Sequence, residues 1–463
     1  MKKKFRMFES RQFFRVERIL SAGFAGVILL GAILLCLPAA AADGTATGFL
    51  DALFTATTSV CVTGLVVVPT AEHWSLFGKV IILLLIQLGG LGIMACMTMV
   101  YLVLRRKISL HGRKMIQDTY SLPELKGAVG IVKRILIGTF AAEGLGAVFY
   151  SLRFVPEFGP VKGIWYSVFH SVSAFCNAGI DIIGTSSLAP YVTDPLINAT
   201  TMGLIVLSGL GFPVWWEVTA WLKARIRRRR NPELLLKRMS LHARLVLTVT
   251  AGLILGGTVL ILILDWNHPS SLGPLEAPQK VMAALFQSVT TRTAGFETIP
   301  QKGFSNASAL VSMVLMFIGG SPMGTAGGIK TTTVAVVVLM VWAYIQGQED
   351  TEFCARRISN MNMRTAVVVF FYGLGIVIVA TAALTAVTGA DTVDCGYEIV
   401  SAMGTVGLTR ALTATLPAAG KIIVILVMFM GRIGPVTLAV ALRRRNSGKA
   451  SGIRLPEQRI LIG

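Results

Sequence analysis

The sequence predicts an all-α polytopic membrane protein made of four similar units, each a helix, a short half-helix and a returning helix. Its mean hydropathy is +0.70 and only 14% of its residues are charged, whereas soluble domains carry about 25%. Most Lys and Arg residues lie in alternate loops, the pattern of cytoplasmic loops in membrane proteins. A short segment containing glycine also recurs four times along the chain.

The recurring segment is eight residues long, and its seventh residue is a glycine that precedes an apolar residue. We call the four copies the glycine segments; they span residues 58–65, 173–180, 289–296 and 401–408. Their glycines are separated by 115, 116 and 112 residues, a period too long for a solenoid repeat. The spacing predicts four units around one axis, spanning residues 1–118, 119–231, 232–355 and 356–463.

Positive charge predicts how the chain crosses the membrane. Of the 43 Lys and Arg residues, 33 lie before residue 19, in 105–134, in 223–244, in 356–364 or after residue 442. This distribution predicts a multi-pass membrane protein with both termini in the cytoplasm. Because the net charge of +20 comes mainly from these loops, membrane lipids are expected partners and nucleic acid is not.

The length of each apolar run separates helices that cross a bilayer, which takes about 20 residues, from half-helices. The first run, 19–37, is longer than the apolar core of a signal peptide and is expected to remain as a helix. Further crossings are predicted at 76–104, 128–152, 196–222, 245–264, 365–387 and 422–442, and half-helices at 49–57, 164–175, 281–290 and 397–403. A bend is expected near Gly209, Gly211 and Pro213. The glycine-rich tract 319–333 predicts a returning helix that is broken inside the membrane.

Four glycine turns at membrane depth predict a pore, because non-helical backbone is tolerated there only where it lines a cavity or packs in protein. Carbonyl oxygens can replace the hydration shell of a monovalent cation, and glycine permits the backbone conformation that this requires. Thr405-Val406-Gly407 matches the start of the potassium-channel signature, although Leu408 and Thr409 replace its last two residues. The predicted filter residues, which bind K+ through backbone carbonyls, are Val62, Thr63, Gly64, Asn177, Ala178, Gly179, Thr293, Ala294, Gly295, Thr405, Val406 and Gly407.

Polar side chains near these turns carry further expectations. Each glycine segment has a hydroxyl residue five or six positions before its glycine, and we expect these side chains to brace the turn: Thr58, Ser173, Thr290 and Ser401. Arg292 is expected to point away from the ion path and to brace the turn by hydrogen bonds, because its charge would repel a cation. Asp181 and Glu297 either concentrate cations at an outer mouth or belong to solvated loops. The six cysteines lack the paired spacing of a metal site and are expected to be free thiols.

The chain resembles the Trk/Ktr/HKT superfamily of potassium transporters over nearly its whole length. The resemblance rests on the glycine segments, on the Gly-Gly-Ile-Lys-Thr-Thr-Thr end of the tract 319–333, and on Arg432. A single helix before the first glycine segment makes the chain similar to the membrane subunit of bacterial Ktr systems.

The resemblance implies potassium uptake by a homodimer with one pore per protomer, and Gly64 implies K+ rather than Na+ as the preferred ion. It also implies a cytosolic RCK-type nucleotide-binding regulatory subunit, and Na+ is a candidate activator. No bound cofactor is expected. The tract 319–333 is expected to act as a gate beneath the filter. The predicted gate residues are Gly324, Gly327, Gly328, Lys330 and Arg432.

Other interpretations of the tract and of Arg432 remain open. An arginine inside a membrane helix is expected to face the pore or a carboxylate partner, and the alternative is snorkelling to the surface. The tract is not expected to bind nucleotide, because Ile329 separates the Gly-Lys pair that a phosphate-binding loop requires. A flexible linker outside the membrane is a further alternative.

Two rival functions are weighed against a pore. An alternating-access cation carrier predicts two broken helices in corresponding halves of the chain, whereas the sequence indicates one pronounced break. An intramembrane enzyme requires a polar cluster of His, Asp or Ser at membrane depth. The sequence shows no such cluster, so no catalytic residue is predicted.

Overall fold

The computed structural model describes residues 19, 21–106, 108–119, 127–226 and 239–434, and it is helical apart from one short hairpin. The hairpin pairs β1 (Glu352–Phe353) with β2 (Arg356–Arg357). The helices are α1 (Ser21–Leu35), α2 (Phe49–Cys61), α3 (Thr70–His73), α4 (Leu76–Leu91), α5 (Ile93–Val103), α6 (Leu110–Thr119), α7 (Ala128–Phe158), α8 (Pro160–Cys176), α9 (Pro195–Gly209), α10 (Phe212–Ile226), α11 (Leu241–Asp265), α12 (Ala277–Thr290), α13 (Asn306–Phe317), α14 (Thr331–Ile345), α15 (Asn360–Thr388), α16 (Thr392–Gly404) and α17 (Ala418–Ile433). The termini and the Arg227–Arg230 segment, on which the topology prediction partly rests, lie outside the described residues.

Three described helices, α7, α11 and α15, are long and apolar enough to cross a membrane alone. Two further spans are bent pairs, α4 with α5 at 102° and α9 with α10 at 108°. These helices confirm a multi-pass membrane fold. The bend predicted in 196–222 is confirmed, because α9 ends at Gly209 and Gly211 has a φ of +83°.

The prediction of one continuous crossing over 76–104 is wrong. The helix breaks at Gly92, whose φ of +80° is in the left-handed region that favours glycine. The third unit breaks as predicted, between α13 and α14. Three of the four returning helices are therefore broken among the described residues, so the count of one pronounced break was also wrong. The fourth, α17, ends at Ile433, and the rest of the run predicted to 442 is not described.

The four half-helices, α2, α8, α12 and α16, confirm the predicted short helices and start four or five residues earlier except for α2. Their first turns carry ordinary start signals. The side chain of Asp391 accepts from the amide of Val393 at 3.1 Å, Glu276 and Gln279 form a capping box, and Pro160 opens α8. Each half-helix ends where its glycine segment begins to turn.

Neighbouring units repeat one contact. Each returning helix packs against the half-helix of the next unit: α4 on α8, α9 on α12, α13 on α16, and α17 on α2. The last contact closes the order into a ring. The four half-helices consequently surround one axis, and the turns that follow them meet there.

A candidate ion pore

The four glycine segments share one backbone conformation. In each, the glycine has a positive φ, and so does the non-glycine residue two positions before it. The pairs are Val62 and Gly64 (56° and 97°), Asn177 and Gly179 (59° and 63°), Thr293 and Gly295 (70° and 81°), and Thr405 and Gly407 (51° and 96°). A left-handed β-branched residue such as Val62 is uncommon and strained, and such strain concentrates at functional sites. The sequence placed all eight residues in the predicted filter, but it indicated the positive φ only for the glycines.

The four glycines contact one another in a closed cycle, which we call the glycine ring (Gly64, Gly179, Gly295 and Gly407). A Cβ atom on each would collide with the carbonyl oxygen that precedes the next glycine of the cycle. The colliding oxygens, in order, belong to Ala178, Ala294, Val406 and Thr63. The fold thus brings together eight of the predicted filter residues, and only glycine fits at the four ring positions.

Hydroxyl side chains brace the ring from the half-helices, as predicted. The hydroxyls of Thr58 and Ser401 accept the backbone N–H groups of Gly64 and Gly407 at 2.9 and 3.0 Å. Those of Ser173 and Thr290 donate to the carbonyls that follow the other two glycines, at 2.7 and 2.5 Å. All four bonds are buried, so each segment is held by its own half-helix.

Three other hydroxyls in the segments are buried without a hydrogen-bond partner among the described residues: those of Thr63, Thr293 and Thr405. A buried polar group without a partner costs free energy. Carbonyl and hydroxyl oxygens are hard ligands, and they suit hard cations such as alkali-metal ions. Within the described ranges no group of His, Cys, Asp and Glu has the arrangement of a metal site.

A glycine-rich loop (residues 318–330) packs directly against two glycine segments. The hydroxyl of Thr325 donates to the carbonyl of Phe175 at 3.1 Å and accepts from the amide of Asn177 at 3.3 Å. A Cβ atom on Gly327 would collide with the side chain of Thr405. A Cβ atom on Gly328 would lie 3.1 Å from the carbonyl oxygen of Gly404. The loop therefore packs against the C-terminal ends of α8 and α16, contacts that a flexible linker outside the membrane would not make.

The loop is seated in the break of the second returning helix. The amide of Ser321 donates to the carbonyl of Gly209 at 2.9 Å, and the amide of Phe212 donates to the carbonyl of Met323 at 3.2 Å. Gly324 lies against the carbonyl of Ser208. The bend between α9 and α10 thus forms a socket for the loop, a relation between units that the sequence did not reveal.

The two basic gate candidates both bind backbone carbonyls. Arg432 donates from one guanidinium nitrogen to the carbonyl of Thr325 and from the other to that of Gly89. Lys330 donates to the carbonyl of Ala326 at 2.7 Å, inside its own loop. Among the described ion pairs neither has a carboxylate partner. Arg432 therefore ties the loop to α4 inside the protein, and it does not reach outward.

Arg292 points away from the glycine ring, as predicted. Its side chain is buried and donates to the carbonyl of Thr250 on α11, at 3.3 Å. The six cysteines are free thiols, as also predicted.

The two acidic residues beyond the ring are half-buried, so the interpretation as solvated loops is wrong. Burial raises the pKa of Asp181 to about 7. Burial also raises the pKa of Glu297 to about 7, and the nearby charge of Asp181 contributes to that shift. The amide of Leu188 joins the two loops by donating to the carbonyl of Glu297 at 3.0 Å.

Sequence reasoning missed buried acids near the glycine segments, among them Glu143 in the middle of α7. Its side chain is 5% exposed and contacts Gln87 on α4 and Cys176 at the end of α8. The available signal was a single carboxylate in a long apolar run, since such residues in membrane helices are rare and usually functional.

Comparison with known proteins places this fold. The family model described as a cation transport protein, TrkH, matches residues 20–453. The potassium/sodium uptake protein NtpJ of Enterococcus hirae is 36% identical, over 96% of this chain and 97% of the relative. The Ktr system potassium uptake protein B of Bacillus subtilis is 36% identical, over 97% of both chains. The crystal structure of the potassium transporter TrkH from Vibrio parahaemolyticus matches with a TM-score of 0.69 at 17% identity, covering 91% of this chain and 85% of that one.

Proposed function

The chain belongs to the TrkH family of cation transport proteins, and from that premise we propose that it takes up K+ across the bacterial cytoplasmic membrane through a filter formed by its four glycine segments. Members of this family are ion transporters and not enzymes. The names of the relatives support potassium as the transported ion and leave sodium as a second candidate.

The glycine ring is the observation that carries the proposal. Four carbonyl oxygens, from Thr63, Ala178, Ala294 and Val406, lie against four glycines in one closed cycle. Oxygens in such a cycle can replace the hydration shell of a potassium ion. The bracing hydroxyls hold the segments from behind, so the oxygens keep their positions when the ion leaves.

The glycine-rich loop acts as the gate in this proposal. It contacts the segments of the second and fourth units, and Arg432 holds it against α4. A positive guanidinium beside the path repels cations while the loop is seated. Release of Thr325 from Arg432 frees the loop, which then moves aside.

The partner assignments extend from the named relatives. Proteins B and D of the Ktr system are subunits of a multi-component system, which supports a separate regulatory subunit for this chain. We propose an RCK-type nucleotide-binding ring on the cytosolic side, a homodimer of the membrane chain, and both termini in the cytoplasm.

An alternating-access carrier is the second candidate, and the three broken returning helices favour it. Turnover separates the two functions. A pore conducts ions at a rate that yields single-channel currents in a lipid bilayer, whereas a carrier moves ions only with a conformational cycle for each substrate and gives none.

Growth of a bacterium that lacks potassium uptake tests the proposed function. Expression of this chain with an RCK subunit is expected to restore growth at low K+, with sodium either present or absent. Gly64→Ser is expected to reduce the preference for K+ over Na+, because the added side chain would collide with the carbonyl of Ala178. Growth that is not restored with any RCK pairing would contradict potassium uptake and favour the carrier.

The outer acids give a pH dependence. With a pKa of about 7, Asp181 and Glu297 are charged above that pH and become neutral below it. Uptake at low K+ is therefore expected to fall as the external pH drops from about 8 to about 6, since two attractive charges are lost. The double variant Asp181→Asn, Glu297→Gln should have low uptake at both pH values.

Exposed Glu72 supplies the control, because Glu72→Gln should keep the wild-type pH profile. A double variant that still loses uptake on acidification would exclude this pair as the source.

A further inference from the structure

Glu143 is a carboxylate placed deep in the apolar part of the molecule. It lies fifteen residues from each end of α7, and its side chain is 5% exposed. A charged group at the centre of a membrane helix costs about 2.5–3.5 kcal/mol on insertion scales and is usually retained for a function. Among the described ion pairs none includes Glu143.

The contacts of Glu143 join two units. The side-chain amide of Gln87 donates to both carboxylate oxygens, at 3.0 and 3.3 Å. The thiol of Cys176 lies 3.9 Å from one of those oxygens. The hydroxyl of Ser171 donates to the backbone carbonyl of Glu143 at 2.5 Å. An ionised carboxylate only accepts hydrogen bonds, and each of these side-chain partners supplies a hydrogen.

Gln87 and Cys176, the two side-chain neighbours of Glu143, each lie next to a segment that is linked to Arg432. Gln87 lies two residues before Gly89 on α4, and the carbonyl of Gly89 accepts a hydrogen bond from Arg432. Cys176 directly precedes Asn177, which binds Thr325, and Arg432 holds the carbonyl of Thr325. A closed circuit of contacts thus places a negative and a positive group beside one glycine segment.

We propose that Glu143 is a positioning residue for ion selection, whose carboxylate lies behind the second glycine segment and, when ionised, offsets the positive charge of Arg432. The inference rests on the proposed potassium uptake. In a medium of low dielectric constant both charges act strongly on a passing cation. The positive charge of Arg432 alone would repel K+ from the ion path. The negative charge of Glu143 restores enough attraction for K+ to enter at low concentration.

Initial rates of K+ uptake test this, measured against K+ concentration with the full chain and its regulatory subunit. Glu143→Gln keeps the shape and removes the charge, and we expect its KM for K+ to rise on the order of tenfold, which corresponds to about 1.4 kcal/mol. Glu143→Asp keeps the charge and should stay closer to wild type. In Glu143→Gln, Arg432→Gln both charges are absent, and the KM should return toward the wild-type value.

The matched control is Glu217→Gln, which alters a half-buried acid that binds Ser240 away from the glycine segments and should leave the KM unchanged. A wild-type KM in Glu143→Gln overturns the inference. A loss of maximal rate at unchanged KM also overturns it, because that result indicates packing alone. Gln87→Leu, which removes the partner that holds the carboxylate, is the second variant if Glu143→Gln does not fold, and it should raise the KM as well.

Wild-type uptake in the same assay separates the two proposals. If the wild type takes up no K+, the proposed function fails. If the wild type is active and the variants keep its KM, only the role of Glu143 fails.

Discussion

Gly295→Ala is expected to lower K+ uptake by at least tenfold while the protein still reaches the membrane. Gly295 has a φ of +81°, which costs an alanine about 1–2 kcal/mol. The added Cβ would also collide with the carbonyl oxygen of Val406, one of the four oxygens of the glycine ring. A tenfold loss of uptake corresponds to about 1.4 kcal/mol. Backbone strain and the collision together destabilise the ion-binding conformation by more than this amount.

The measurement is K+ uptake normalised to the amount of protein in the membrane. Gly375→Ala is the matched control, because Gly375 lies in α15 with open space around it. Alanine favours a helix over glycine by about 1 kcal/mol, so this control should fold at least as well as wild type. Equal uptake by Gly295→Ala and Gly375→Ala would show that the glycine ring does not take part in K+ uptake.

Deletion of residues 324–328 is expected to raise K+ flux on the order of tenfold or more. The deletion removes Thr325 and with it the contacts to Phe175, Asn177 and Arg432. Each hydrogen bond of this kind contributes about 0.5–1.5 kcal/mol, so losing three shifts a closed state toward an open one by about ten- to a thousandfold.

The deletion should leave the fold around the loop intact. The amide of Thr331 donates to the carbonyl of Gly320 at 3.0 Å, and the hydroxyls of Ser321 and Thr331 are 3.0 Å apart. These bonds hold the base of the loop together and lie outside the deleted residues.

Arg432→Gln tests the same gate with a smaller change and should raise the flux less, because the other loop contacts remain. Arg364→Gln, at the exposed start of α15, is the control for loss of one positive charge. Unchanged or lower flux in well-expressed deletion protein would exclude the loop as a gate. If Arg432→Gln conducts and gates as the wild type does, the arginine is not the barrier.

The sequence by itself predicted the fold class, the half-helices and the positions of the four glycines, while the bounds of the four units stay a prediction. It could do so because hydropathy and spacing are local: an apolar run of a given length crosses or does not cross, and a glycine after a short helix permits a turn. The bracing role of Thr58 and Ser401 was also predictable, since a hydroxyl six residues before the turn lies within reach of it.

Only the tertiary structure decided which units touch and which polar groups meet. The break at Gly92 was hidden in a continuous apolar run, because the preference of one glycine for a positive φ is realised only when packing demands it. Arg432 meets Thr325 and Gly89, which are 107 and 343 residues away in the sequence, and Glu143 meets Gln87 across 56 residues. Such contacts depend on the closure of four units into a ring, and no local pattern encodes that closure.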